Sequence, residues 1–170
     1  MNRTHETVYA SLLTALALVI PLAFGGVLGV YLPPFSATLG SHVPLMLAML
    51  ISPYTAVIVG VGSALGFLIK LGPAIAARAL MHSAVGFVGA VAYRKGFSYW
   101  QALLIALPVH AVLEALIVLP FGFTLYNAGV VVGVGTALHH VVDAGISVLV
   151  FEALRRVGIL RGAAAEARSR

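Results

Sequence analysis

The hydrophobic pattern along the chain is a succession of long apolar runs, broken where proline, glycine or charge appears. The breaks define six segments, at about residues 7 to 25, 42 to 52, 54 to 70, 73 to 93, 98 to 119 and 130 to 154. A helix that crosses a bilayer needs about 20 residues, so the second and third segments are short, and the second reaches across only with its flanking loop or a tilt. Ser41 is placed to cap the second segment and Pro44 falls in its first turn, where a missing N–H is harmless. Ser52-Pro53 forces a tight break, so segments two and three are expected to form a short hairpin. The pattern predicts an all-α integral membrane protein, a compact bundle of six transmembrane helices.

Composition agrees. Of 170 residues 61% are hydrophobic and 9% charged, with a mean hydropathy of +1.07, where soluble domains carry about 25% charge. A soluble core of this size could not hide so much apolar surface, which excludes a soluble enzyme. The chain has no cysteine, which closes disulfide, thiolate-metal and thiol-nucleophile chemistry. A net charge of +5 raises the question of nucleic acid, but eight of the ten basic residues (Arg3, Arg94, Lys95, Arg155, Arg156, Arg161, Arg168, Arg170) lie at the termini or in one loop. That distribution is a topology signal, and it predicts that both termini are cytoplasmic and that nucleic acid is not a partner. The N-terminal run is expected to be a retained first helix, because further apolar runs follow it.

In this orientation the outside presents two loops rich in glycine, proline and aromatics, Gly26 to Gly40 and Pro120 to Gly129, which have the character of lids over a site. Residues 1–160 are expected to form one membrane domain and residues 161–170 a flexible cytoplasmic tail. Small residues four apart (Gly25/Gly29, Gly62/Gly66, Gly129/Gly133) suit close packing within the bundle. Ser11/Ala15 on the first helix is the pair that suits a partner protein.

Ionisable side chains inside a membrane are costly, roughly 2.5 to 3.5 kcal/mol at the centre of a helix on insertion scales, so those that persist face a cavity or each other. Arg78 and His82 are four apart on the fourth segment, His110 and Glu114 on the fifth, and His139 and His140 precede Asp143 on the sixth. Counted from the outer ends at about 1.5 Å per residue, Arg78 and Glu114 lie roughly 8 Å deep and His82, His110 and His139 about 14 Å, with Asp143 near mid-membrane. Two readings follow. In one, Arg78 neutralises Glu114 or Asp143 and the histidines bridge them. In the other, which the number of groups favours, three polar faces line an outward pocket for a small polar molecule.

No metal site is expected. HExxH is absent, and His139 and His140 point about 100° apart on their helix, so both cannot easily hold one ion. The string VGSALG does not match a serine-hydrolase elbow. No P-loop is present, so any use of ATP belongs to a partner.

The strings SLLTALALVIP, FSATLGSHVPLMLAMLISP, RALMH, HAVLEALIVLPF and GVGTALHHVVDAGI, spread over roughly residues 8 to 155, resemble the substrate-binding S components of energy-coupling factor (ECF) vitamin transporters, above all the niacin type. The resemblance implies a non-enzymatic binding subunit of an ABC-type importer in a bacterial or archaeal cytoplasmic membrane. Such a subunit captures a vitamin from outside and works with a transmembrane coupling protein and two ATPases. This chain would itself bind no cofactor. It further implies a site built from the first outer loop, the last three helices and the loop before the sixth, and a contact with the coupling protein through small residues of the first helix. Here those are Ser11 and Ala15, in place of the usual AxxxA.

Nicotinate, a flat ring with a carboxylate, asks for a cation at one end and an apolar slot at the other. Arg78 suits the carboxylate. His82, His110, His139 or Asn127 suits the ring nitrogen, and Tyr31, Phe35, Phe123 or Tyr126 the ring face, with Glu114 and Asp143 completing the polar set. The balance of one arginine and two carboxylates would also suit a cation, but the only tryptophan, Trp100, lies at the wrong end of the fifth helix for a cation cage. Another small vitamin, or a stand-alone facilitator, are the alternatives. A facilitator would need polar groups in the inner half, where the segments have almost none.

Overall fold

The computed structural model describes residues 3–33 and 35–158. Helix α1 (Arg3–Leu28) is followed by strands β1 (Gly29–Leu32) and β2 (Phe35–Thr38), a short α2 (Val43–Ala48), and the helices α3 (Pro53–Leu71), α4 (Pro73–Arg94) and α5 (Tyr99–Ile117). A 3₁₀ turn at Leu119–Phe121 and π-helical turns over Asn127–Val134 lead into α6 (Gly135–Arg156). Five helical stretches, Arg3–Leu28, Pro53–Leu71, Pro73–Arg94, Tyr99–Phe121 and Asn127–Arg156, are long and apolar enough to cross a bilayer. Leucines such as Leu12, Leu16, Leu65, Leu104, Leu138 and Leu149 point outward from them. The expected tail, residues 161–170, lies outside the described residues.

The expectation of six spanning helices is corrected at the second segment. Helix α2 has only six residues, a rise of about 9 Å. The crossing it belongs to is nevertheless required by its neighbours. Along α1 and α3, Glu6 meets Ser52 and Thr55, Thr14 meets Gly62, and Leu18 meets Gly66. The two helices therefore run parallel, and the chain must return from the end of α1 to the start of α3 between them. It does so through Leu39–Ser52, partly without regular structure. Unsupported backbone at membrane depth is tolerated only where protein surrounds it. Here Leu45, Met46, Ala48 and Met49 are buried against Ala56 and Val59 of α3, Val85 and Ala90 of α4, and Leu103 and Ala106 of α5. The second crossing is thus a plug at the bundle axis. Its last turn closes on itself through Leu50 N to Leu47 O, Ile51 N to Ala48 O and Ser52 N to Ala48 O.

The break expected at Ser52-Pro53 is present, and Ser52 caps α3, its Oγ accepting from Thr55 N at 3.0 Å. Ser41 does not cap α2. His42 takes the N-cap position without a side-chain cap bond, and Asp143 of α6 holds the backbone just before the helix, accepting from Gly40 N at 2.7 Å and from His42 N at 2.9 Å. The first long loop is also more ordered than expected. Helix α1 runs on to Leu28, and the rest forms a two-stranded antiparallel hairpin in which Gly29 pairs with Thr38 and Leu32 with Phe35.

Connections by Gly72 and by residues 95–98 make α3, α4 and α5 alternate in direction. Arg3, Arg94, Arg155 and Arg156 therefore share one end, here the basic end, while the β-hairpin and Gly72 lie at the other. Of the glycines expected to pack, Gly62 and Gly66 do so, against Thr14 and Leu18 of α1, whereas nothing lies within 4 Å of a methyl placed at Gly129; Gly60, which abuts Ser83, and Gly86, which abuts Ala56 and Leu45, pack closely as well. A methyl added at Gly60 would fall 2.5 Å from Ser83 N and 2.7 Å from its Cα, and a backbone cannot step aside. Gly60→Ala is expected to destabilise the protein by about 1–3 kcal/mol. Gly26→Ala, where nothing lies within 4 Å, should melt close to the parent in detergent.

Candidate ligand-binding site

A cavity of about 480 Å³ opens at the hairpin end. It is walled by α1 (Ala17, Pro21, Gly25), the hairpin (Val30, Tyr31, Ser36, Thr38), the approach to α2 (Ser41, His42, Leu45), α3 (Ser63, Phe67) and α4 (Ile75, Arg78, His82), with Glu114 and His139 closing the far side. Its apolar wall is mostly α1 and α3, and its polar wall is α4, α5 and α6. That asymmetry suits a ligand with one apolar and one polar end.

The polar wall is organised around the Glu114 carboxylate, whose residue is 2% exposed. Its Oε2 accepts from Arg78 Nε at 3.1 Å, Arg78 Nη2 at 2.7 Å and Thr136 Oγ1 at 2.7 Å. Its Oε1 lies 2.9 Å from His82 Nε2 and 3.4 Å from His110 Nε2. Of the two readings left open for Arg78, the pairing with Glu114 is present, and Asp143 is not its partner. Both prongs close on one oxygen, however, and Nη1 makes no hydrogen bond among the described residues. The arginine also lines the cavity. Beneath the guanidinium, at 5.7 Å from its carbon, lies the buried ring of Phe35, held in turn against Gly135. Phe35 therefore supports Arg78 and does not reach the cavity.

Asp143 forms a second centre. Besides capping the approach to α2, its Oδ2 is 3.2 Å from His42 Nδ1 and 3.1 Å from His139 Nε2, and His139 Nε2 is also 3.1 Å from Thr38 O. One carboxylate on α6 thus ties β2, the segment before α2 and its own helix together. The two centres meet through His42 Nε2, 3.2 Å from His82 Nε2.

Spacing on single helices correctly grouped Arg78, His82, His110 and Glu114, and separately His139 with Asp143. It missed His42, Ser36 and Thr38, which come from irregular chain. The available signal was the string FSATLGSHVP, where a histidine stands between a polar loop and an apolar run. Tyr31 is at the cavity mouth, 74% exposed. Asn127 and Tyr126 do not line the cavity, and neither does any part of 120–129. That loop packs instead as a small cluster of Val118, Ala128 and Val132 with Phe123, so it is no lid over this space. His110, fully buried, backs the polar wall from behind.

Five membrane-crossing helices around a central plug, enclosing a polar cavity near one face, define a multi-pass membrane protein built to hold a small polar solute. Over 162 residues the chain is 33% identical to the niacin transporter NiaX of Lactococcus lactis subsp. cremoris (strain MG1363), covering 85% of this chain and 72% of that protein. The chain belongs to that protein's family, the niacin-type S components, a family of transport proteins and not of enzymes. No family model matches the chain, and no solved structure matches it significantly.

The buried pair supplies a test of its own. With Arg78 replaced by Ala, Glu114 is left uncompensated, and the protein is expected to lose about 3–5 kcal/mol of stability. Arg78→Met combined with Glu114→Gln removes both charges and should recover most of that loss in thermal melts.

Proposed function

We propose that the chain is the membrane-embedded binding subunit of an ECF-type importer, capturing niacin from outside for ATP-driven uptake. The observation that carries this reading is the cavity beside Arg78, combined with the kinship to a niacin transporter. The basic end faces the cytoplasm, by the excess of arginine there, which turns the hairpin and the cavity outward in a bacterial or archaeal cytoplasmic membrane. The nicotinate carboxylate meets Arg78 Nη1, which the pair with Glu114 leaves available, and the ring lies along Tyr31 and the apolar wall of α1 and α3.

Uptake on this reading needs a transmembrane coupling protein and two ATPases, which alone use ATP. Ser11 and Ala15 are both exposed, on the face of α1 turned away from Ala10, Thr14 and Ala17. A face of small residues pointing out of the bundle suits close approach by a second membrane helix. A stand-alone facilitator is disfavoured, because below Leu45 the axis is filled by Met46 and Met49.

Titration of nicotinate and its uncharged amide into the purified protein tests the ligand. The acid should bind more tightly than the amide, and Arg78→Lys should weaken the acid by roughly 10- to 150-fold, the worth of one charge-assisted hydrogen bond of about 1.5–3 kcal/mol. An unchanged preference for the acid in a folded variant lacking Arg78 would remove the assignment. Separately, Ser11→Leu or Ala15→Leu is expected to abolish co-purification with the coupling protein while nicotinate affinity stays at the parent value. Intact co-purification would mean that another face of the bundle makes the contact.

A further inference from the structure

The histidines behind the cavity are too short of protons for hydrogen bonding alone to satisfy them. His140 Nε2 is 3.0 Å from the Leu103 carbonyl oxygen, which can only accept, so His140 carries its proton on Nε2 and offers a bare Nδ1. His110 Nδ1 lies 2.9 Å from that atom and donates to it. A neutral His110 ring thus presents a bare Nε2, fully buried and without a hydrogen-bond partner, facing Glu114 Oε1, another acceptor, at 3.4 Å. His42 repeats the arrangement. Its Nδ1 lies 3.2 Å from Asp143 Oδ2 without a hydrogen bond, and with the proton placed on that atom, beside the carboxylate, Nε2 is bare. A single proton, on His82 Nε2, therefore faces three acceptors: His42 Nε2, His110 Nε2 and Glu114 Oε1.

A cation at the middle of the four atoms resolves this. The donor atoms of His42, His82, His110 and Glu114 all lie within 4.8 Å of one another. Three of the separations, 3.2, 2.9 and 3.4 Å, are close to the edge of about 3.3 Å that a tetrahedron with metal–ligand bonds of about 2.0–2.1 Å requires. We infer that His42, His82, His110 and Glu114 form a four-coordinate site for a late first-row divalent cation of the Zn²⁺ type. Three imidazoles and a carboxylate suit that class of ion. His82 need only move its proton to Nδ1. The surrounding groups already stand where such a site needs them: Asp143 behind His42, His140 behind His110, and Arg78 with Thr136 on Glu114 Oε2, leaving Oε1 for the ion.

A second cluster, His42, His139 and Asp143, also lies within 4.8 Å, and there only His42 Nδ1 lacks a hydrogen bond while the other groups are satisfied by ordinary protons. His139 Nε2 faces only acceptors, and both Asp143 oxygens accept from backbone N–H groups. His139 and His140 are not joint ligands of one ion here. His140 instead acts from behind, and the missing ligand is His42.

The test uses the tag-free full chain, purified with a chelator, desalted and titrated with Co²⁺ alone. One equivalent should bind with the intense visible absorption of four-coordinate cobalt, and Zn²⁺ should displace it and raise the melting temperature. His110→Ala should abolish that spectrum. His140→Ala removes only a positioning residue, and should weaken Co²⁺ about 10- to 100-fold while the four-coordinate spectrum remains. A purely structural His140 would instead lower the melting point of the metal-free protein and leave the affinity unchanged. Failure of the unmodified protein to retain Co²⁺ or Zn²⁺, or a six-coordinate spectrum, would overturn the site whatever the variants do. Loss of the ion in His139→Ala as complete as in His110→Ala would place it in the other cluster and also overturn the assignment. Because no vitamin is present, these outcomes stand apart from the identity of the transported ligand.

Discussion

The parallel packing of α1 and α3 is the constraint from which the rest follows. Two parallel neighbours in a membrane oblige the chain to cross back between them, and this chain does so with a six-residue helix and irregular flanks. Such a crossing can exist only at the bundle axis, where Leu45, Met46, Ala48 and Met49 are enclosed on every side. That placement carries the segment before α2 into the middle of the protein. His42 therefore reaches the same space as His82 and His110 although it belongs to no long helix.

The two buried carboxylates then divide the work. Asp143 holds the irregular segment by accepting from Gly40 N and His42 N, so its main effect is on the path of the backbone. Glu114 gathers side chains: Arg78, Thr136, His82 and His110 converge on it from three helices. Burying such charges gains little net stability, since the cost of dehydration offsets most of the attraction. What the arrangement provides is position. Arg78 is pinned through Nε and Nη2 and by the ring of Phe35, and its remaining face is presented to the cavity at small further cost in side-chain freedom.

Much of this was legible in the sequence because helices impose a period. Arg78 with His82 and His110 with Glu114 are four apart, so each pair had to share a face, and apolar surroundings left those faces nowhere to turn but inward. Ser52-Pro53 announced the start of α3 with equal clarity. Where periodicity fails, so did the reading. The run 42–52 is as apolar as a spanning helix because it is enclosed by protein, and hydropathy cannot distinguish enclosure by protein from enclosure by lipid. The strands of the hairpin have four residues each, too few to reveal alternation. The loop at 120–129 has the composition of a lid, yet its apolar residues are absorbed by Val118 and Val132, and composition alone does not say what a loop covers.

The distribution of polar groups along the bundle axis also limits what this fold can do by itself. From the cavity toward the basic end the axis passes from His42 to Leu45, Met46 and Met49, and Met49 fills a notch at Gly89 that has no room for even one more methyl. That packing leaves no room for a polar solute, and Ser147, the buried hydroxyl beside it, is already turned to the sulfur of Met46. Opening a route would mean withdrawing the α2 plug, which is anchored at one end by Asp143 and at the other by the contact of Ser52 with Glu6 of α1. Small readjustments of side chains would not achieve that, whereas a movement of the whole bundle would leave the plug intact and carry the cavity with it. The structure is therefore suited to holding a solute at the hairpin end of the bundle.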